Sequence, residues 1–121
     1  MPDFEKRMEV SILGSTWIIE DRTRQQDVSL KNISGYCDPS VRLIVVLPPE
    51  GYDGELAMKD LSRCYRSAKR HEIIHAYFWE CGLWDNSHAV DAWAVNEEMV
   101  DWLAIQWPKI HSTFADAGCE E

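Results

Sequence analysis

In the stretch Arg70–Leu83, RHEIIHAYFWECGL, two histidines stand four residues apart and a glutamate follows the first. On a helix this spacing puts His71 and His75 on one face with Cβ atoms about 5–6 Å apart, so both imidazoles reach one metal ion. Glu72 is the next residue round from His71, placed to touch a water at the metal without competing for the metal. Zinc lowers the pKa of such a water to about 7, and a carboxylate beside it can take the proton and deliver it to a leaving amine. These mechanics are why H-E-x-x-H needs those residues at that spacing. On the pattern alone, an amphipathic helix whose two histidines pack or hydrogen-bond stands as the other reading.

A catalytic site of this kind needs a third protein ligand and leaves the fourth position to water. Acids for that role stand in Asn96-Glu97-Glu98-Met99-Val100-Asp101. Gly82 followed by Leu83 is a helix stop, and a reversal there brings the second helix back across the first. Glu97 and Asp101 are one helical turn apart and share a face. Val100, Trp102, Leu103 and Ile105 are expected to leave few exposed positions around them.

The elements that must position these residues follow from the pattern along the chain. Residues 8 to 20, MEVSILGSTWIIE, predict two strands around a Gly14-Ser15 turn, and residues 21 to 34 a polar loop. Asp38-Pro39-Ser40 is turn chemistry, Val41 to Leu47 an apolar strand, and Pro48-Pro49 its end. Three- and four-residue spacings then predict a helix from Leu56 to Cys81. A loop, WDNSHAVDA, leads to a second helix over AVNEEMVDWLAIQW, which Pro108 kinks or ends before a short helical stretch, KIHSTFADAG. Lys59, Arg63, Arg66 and Arg70 recur at helical spacing and read as a solvated outer face, with a stripe for an anionic partner as the other reading. The expected class is α+β: a small N-terminal sheet, a helix carrying the histidines, and a second helix carrying the acid.

The 121 residues are one domain's worth, taken as 1–121. Apolar residues make up 45% and charged residues 27%, a soluble globular profile, with six tryptophans expected to carry much of the burial. The net charge of -9 argues against nucleic acid as partner and against adhesion to anionic membranes. No apolar run approaches the ~20 residues that span a bilayer. The N-terminal MPDFEKRMEV is no secretory signal. These features predict a cytoplasmic protein. Cys37, Cys64, Cys81 and Cys119 form no C-x-x-C pair and are expected as reduced thiols.

HEIIH followed about twenty residues later by N-E-x-x-x-D resembles the gluzincin branch of zinc metallopeptidases. The pattern Glu97-x-x-x-Asp101-x-Leu103-Ala104 is similar to the second-helix signature of very small zinc peptidases of bacteria, phages and mobile elements, which have a minimal zincin fold. The resemblance implies Zn²⁺ on His71, His75 and Glu97, Glu72 as general base and then acid, and Asp101 as hydrogen-bond partner of a ligating histidine. Glu98 is the rival third ligand. The metzincin branch would need Gly at 78 and His at 81, where this chain has Phe78 and Cys81. Larger gluzincins stabilise the oxyanion with a Tyr or His; the candidates here are His88, then His111, then Tyr36, and His88 is also an alternative ligand. The implied activity is hydrolysis of a peptide or protein substrate, which strand Val41 to Leu47 would align by strand addition if it is an edge. From other classes come a metal-binding, partner-docking regulator without significant proteolysis, which has no need of Glu72, and a metal-free helical interaction protein.

Overall fold

A computed structural model of the chain describes residues 7–52, 59–83, 97–116 and 118. They form an α+β arrangement in which a four-stranded sheet precedes two helices: β1 (Arg7–Ile12), β2 (Ser15–Asp21), β3 (Gly35–Asp38), β4 (Leu43–Val46), α1 (Leu61–Glu80) and α2 (Glu97–Asp116). The sheet order is β1-β2-β4-β3. β1 and β2 are an antiparallel hairpin, β2 and β4 run parallel with Ile18 opposite Leu43, and β3 pairs antiparallel with β4.

The β1–β2 turn is centred one residue earlier than the sequence suggests. Leu13 and Gly14 have φ of 50° and 89°, the two positive values of the tight turn whose twist matches the flanking strands. Ser15 already pairs with Ile12. The polar 21–34 segment is a loop as expected, with one 3-10 turn at Val28–Leu30 capped by the Asp27 side chain.

β4 explains its own composition. Ile44 and Val46 pack with Ile12, Trp17, Ile19 and Ala76 on the face covered by α1. Val45 and Leu47 pack with Leu30, Tyr36 and Tyr52 on the other. A strand buried on both faces reads as a continuous apolar run rather than an alternating one. It follows that β4 is interior. The condition under which Val41–Leu47 would align a peptide, that it is an edge, is not met: the edges are β1 and β3, and among the described residues none pairs with the outer side of β3. β3 itself was not anticipated.

α1 begins at Leu61, where Asp60 accepts from the Arg63 amide (3.0 Å) and caps it; Lys59 and Asp60 of the expected helix are not helical, and 56–58 lie outside the described residues. Its end is as predicted: Gly82 has φ of +87° and its amide donates to the Trp79 carbonyl (3.2 Å). The last turn of α1 is tied to the hairpin through Glu80, which accepts from Trp17 Nε1 (2.8 Å), Ser15 Oγ (3.0 Å) and Arg42 Nε (2.7 Å). Near the N-terminal end of α1, the Tyr65 hydroxyl donates to the Asp21 carboxylate (2.9 Å).

α2 runs through Pro108 instead of ending there. Proline has no N–H to offer the carbonyl four residues back, which is that of Ala104. Arg70 Nε from α1 donates to that carbonyl at 2.6 Å. The bond that proline removes inside the helix is thus replaced by one between the helices. Val100 and Ala104 are buried, but Trp102 and Ile105 are exposed, so this helix leaves more surface open than its sequence suggests. Of the described tryptophans only Trp17 is fully buried, and Trp107 is exposed. No helix among the described residues is long and apolar enough to cross a membrane.

Candidate metal centre

His71 and His75 project from one face of α1, with ring centroids 4.9 Å apart and ring planes at 70°. Glu97, in the first turn of α2, brings one oxygen to both. Its Oε1 lies 2.9 Å from His71 Nε2 and 3.1 Å from His75 Nε2. One ligand atom from each of the three lies within 4.8 Å of the others, and the group can hold a metal ion. A small divalent ion with tetrahedral bonds of about 2.0–2.1 Å separates its ligand atoms by about 3.3 Å. The two nitrogen–oxygen gaps are a few tenths of an ångström shorter, so a slight opening of the Glu97 side chain meets that requirement. The donor set fits.

Asp101 stands one turn beyond Glu97, with Oδ1 3.1 Å from His71 Nδ1. In the tautomer with Nδ1 protonated, His71 donates to Asp101 and turns the Nε2 lone pair toward the group. A carboxylate in this position fixes the ring and raises the basicity of the other nitrogen. Of the two adjacent acids, Glu97 converges on the histidines, and Glu98 is exposed outside the group.

Glu72 is buried on the same helix. Burial pushes its carboxyl up to about 7, with a further push from Glu97 and opposition from His71. Burial also lowers the proton affinity of His75, against the pull of Glu97, which favours the neutral imidazole that a metal needs.

β3 closes the site from the sheet side through two residues that the motifs did not single out. A Cβ on Gly35 would lie 3.0 Å from the Val45 carbonyl oxygen and 3.3 Å from Glu72 Cγ. Glycine here lets the edge strand pass directly over the Glu72 side chain. Two residues on, Cys37 packs against the α1-facing core, its thiol pushed up to about 12 by burial and then by Glu72 and Asp38. Neither has a signal in the sequence beyond its proximity to a turn.

The remaining candidates divide. His88 lies outside the described residues. His111 is exposed on α2 beside the Trp107 ring and is not among the residues lining the cleft at the group. Tyr36 packs on the sheet face away from α1. Its hydroxyl donates to Asp27, and burial together with Asp27 raises it to about 12. Tyr36 therefore belongs to a structural network with Asp27 and Arg22. Cys37, Cys64 and Cys81 are free; Cys119 lies outside the described residues.

The group opens on a cleft of about 1900 Å³ bounded by α1, α2, β3 and the β2–β3 connection. Lys59, Arg63, Arg66 and Arg70 line it. Lys59, Arg63 and Arg66 are exposed, as a solvated face requires, and the same stripe forms a wall of the cleft. No known protein family, curated protein or solved structure matches the chain.

Proposed function

We propose that the chain is a zinc-dependent peptidase of minimal zincin type, with His71, His75 and Glu97 holding the metal and Glu72 moving the proton. The observation that carries this reading is the convergence of two imidazole Nε2 atoms on Glu97 Oε1 beside the buried Glu72 carboxyl. Two histidines and one carboxylate leave a tetrahedral position open, which is the pattern of catalytic rather than structural zinc. When bound, the ion supplies a Lewis acid and lowers the pKa of a water to about 7.

The chain's own residues supply the rest. Glu72 accepts a proton from the attacking water and returns it to the leaving amine nitrogen. Asp101 holds the His71 ring in its ligating orientation. β3, the edge strand beside Glu72, offers its backbone to an extended peptide, the role first considered for Val41–Leu47. The cleft exceeds the roughly 300–1,000 Å³ of small-molecule sites, which favours a peptide segment as occupant.

Glu72→Gln should keep the metal and lower cleavage of a peptide library by about 10²–10⁴-fold. Undiminished cleavage by that variant would remove Glu72 from its role. Zinc bound by a wild-type chain that cuts no peptide would leave partner docking as the function.

A further inference from the structure

The chain as a whole is acidic, with 12 basic and 21 acidic residues, whereas basic residues outnumber acids among the described residues that line the cleft. Seven of the basic residues line it, against four of the acids. Three of those acids, Glu72, Glu97 and Asp101, belong to the metal group, and the fourth, Asp60, caps α1. The other charged residues of the described wall are all cationic: Lys59, Arg63, Arg66 and Arg70 at and along α1, Arg24 and Lys31 from the β2–β3 connection, and Lys109 from α2.

The three arginines have no carboxylate partner among the described residues. Arg66 donates to the Ser62 hydroxyl (2.8 Å) and Arg70 to the Ala104 carbonyl (2.6 Å), both neutral acceptors. Arg70 also feels the repulsion of Arg66 and Arg63. A row of like charges facing a cleft is costly to hold without a counter-charge, and among the described residues no acid supplies one to these three arginines.

We infer that the cleft takes a peptide segment bearing acidic side chains, whose carboxylates pair with Arg63 and Arg66 while its backbone lies at the metal group. This rests on the peptidase reading and adds a substrate class to it. The spacing is specific. At 1.5 Å rise per residue, Arg66 and Arg63 lie roughly 7 and 12 Å along the helix from His71. An extended peptide lying along α1 advances about 3.3 Å per residue, which would put the acids about two to four residues from the scissile bond. Nucleic acid is the rival polyanion, and it is disfavoured by a chain whose net charge is -9.

Binding tests this apart from catalysis. Fluorescein-labelled peptides with Glu two to four residues to either side of a central apolar pair are compared with the same peptides carrying Gln. The protein is the full zinc-loaded chain with Glu72→Gln, and in parallel the wild-type chain in chelator. The acidic set should bind roughly tenfold more tightly at low salt, as a few surface ion pairs allow. The preference should vanish in Arg63→Ala/Arg66→Ala and survive in Arg63→Lys/Arg66→Lys. Equal binding of the Glu and Gln sets overturns the inference, even if the wild-type chain cuts both and the peptidase reading stands. Equal or tighter binding of a single-stranded RNA of matched charge overturns the peptide class. Acidic peptides bound with this preference but never cut would uphold the inference and sink the peptidase.

Discussion

The His75 side chain is 7% exposed and that of Glu97 71%, although the two atoms that meet are only 3.1 Å apart. His71 and Asp101 repeat the contrast at 17% and 58%. The histidine half of the centre is part of the core. Ala76, one residue after His75, packs with Trp17, Ile19 and Ile44, and Glu80 locks the end of the same helix to the hairpin turn. The acid half sits on the rim of a helix held by two buried residues, Val100 and Ala104, and by the Arg70 bond to the Ala104 carbonyl. A site divided in this way has one half built by folding and another whose position a bound metal would help to fix.

Mutations on the two sides should therefore differ in kind. On the acid side, Asp101→Asn removes only the charge behind His71. Metal affinity is expected to fall about 10–100-fold, while the unfolding free energy of the metal-free chain stays within about 0.5 kcal/mol of wild type. Calorimetric metal titration and urea melts measure the two. A large loss of metal-free stability would mean that the acid half is structural after all.

On the histidine side, Gly35→Ala should act through folding. The new methyl presses on the Val45 carbonyl and on Glu72, at a cost of about 1–3 kcal/mol in a melt. Metal affinity should move far less than in Asp101→Asn. An unchanged melting curve would show that β3 yields more easily than the packing implies.

The smallest effect is expected from Glu80, whose carboxyl lies below the usual range because Arg42, Trp17 and Ser15 all donate to it. A carboxylate depressed in the folded state contributes stability above its unfolded pKa and loses it as pH falls through the folded value. Glu80→Gln should flatten the acid limb of the stability–pH curve below about pH 4, leaving metal affinity at neutral pH unchanged. A curve that keeps its full acid slope would assign that slope to other carboxylates.

Much of the histidine half was legible because it repeats a periodic signal. HEIIH falls on a helix that Gly82 ends, and the doubly buried β4 shows as an unbroken apolar run. The acid half was legible only as spacing, Glu97 to Asp101, and its preference over Glu98 came from resemblance. What escaped did so for physical reasons. β3 is four half-buried residues containing a glycine and a cysteine, with no alternation to mark it. Pro108 reads as a helix break because the arginine that takes up the freed carbonyl is 38 residues away. The spacing of Lys59 to Arg70 identifies a face, but a cleft exists only once the β2–β3 connection stands opposite it.

The central claim is that Glu97, not its neighbour, completes a metal centre with His71 and His75. Zinc titration of the purified chain, Glu97→Ala and Glu98→Ala, read by calorimetry and metal analysis, tests it directly. The account predicts one zinc per wild-type chain, near-wild-type affinity in Glu98→Ala, and loss of tight binding in Glu97→Ala. A wild-type chain that binds no zinc, or a site that survives Glu97→Ala and is lost in Glu98→Ala, would contradict it.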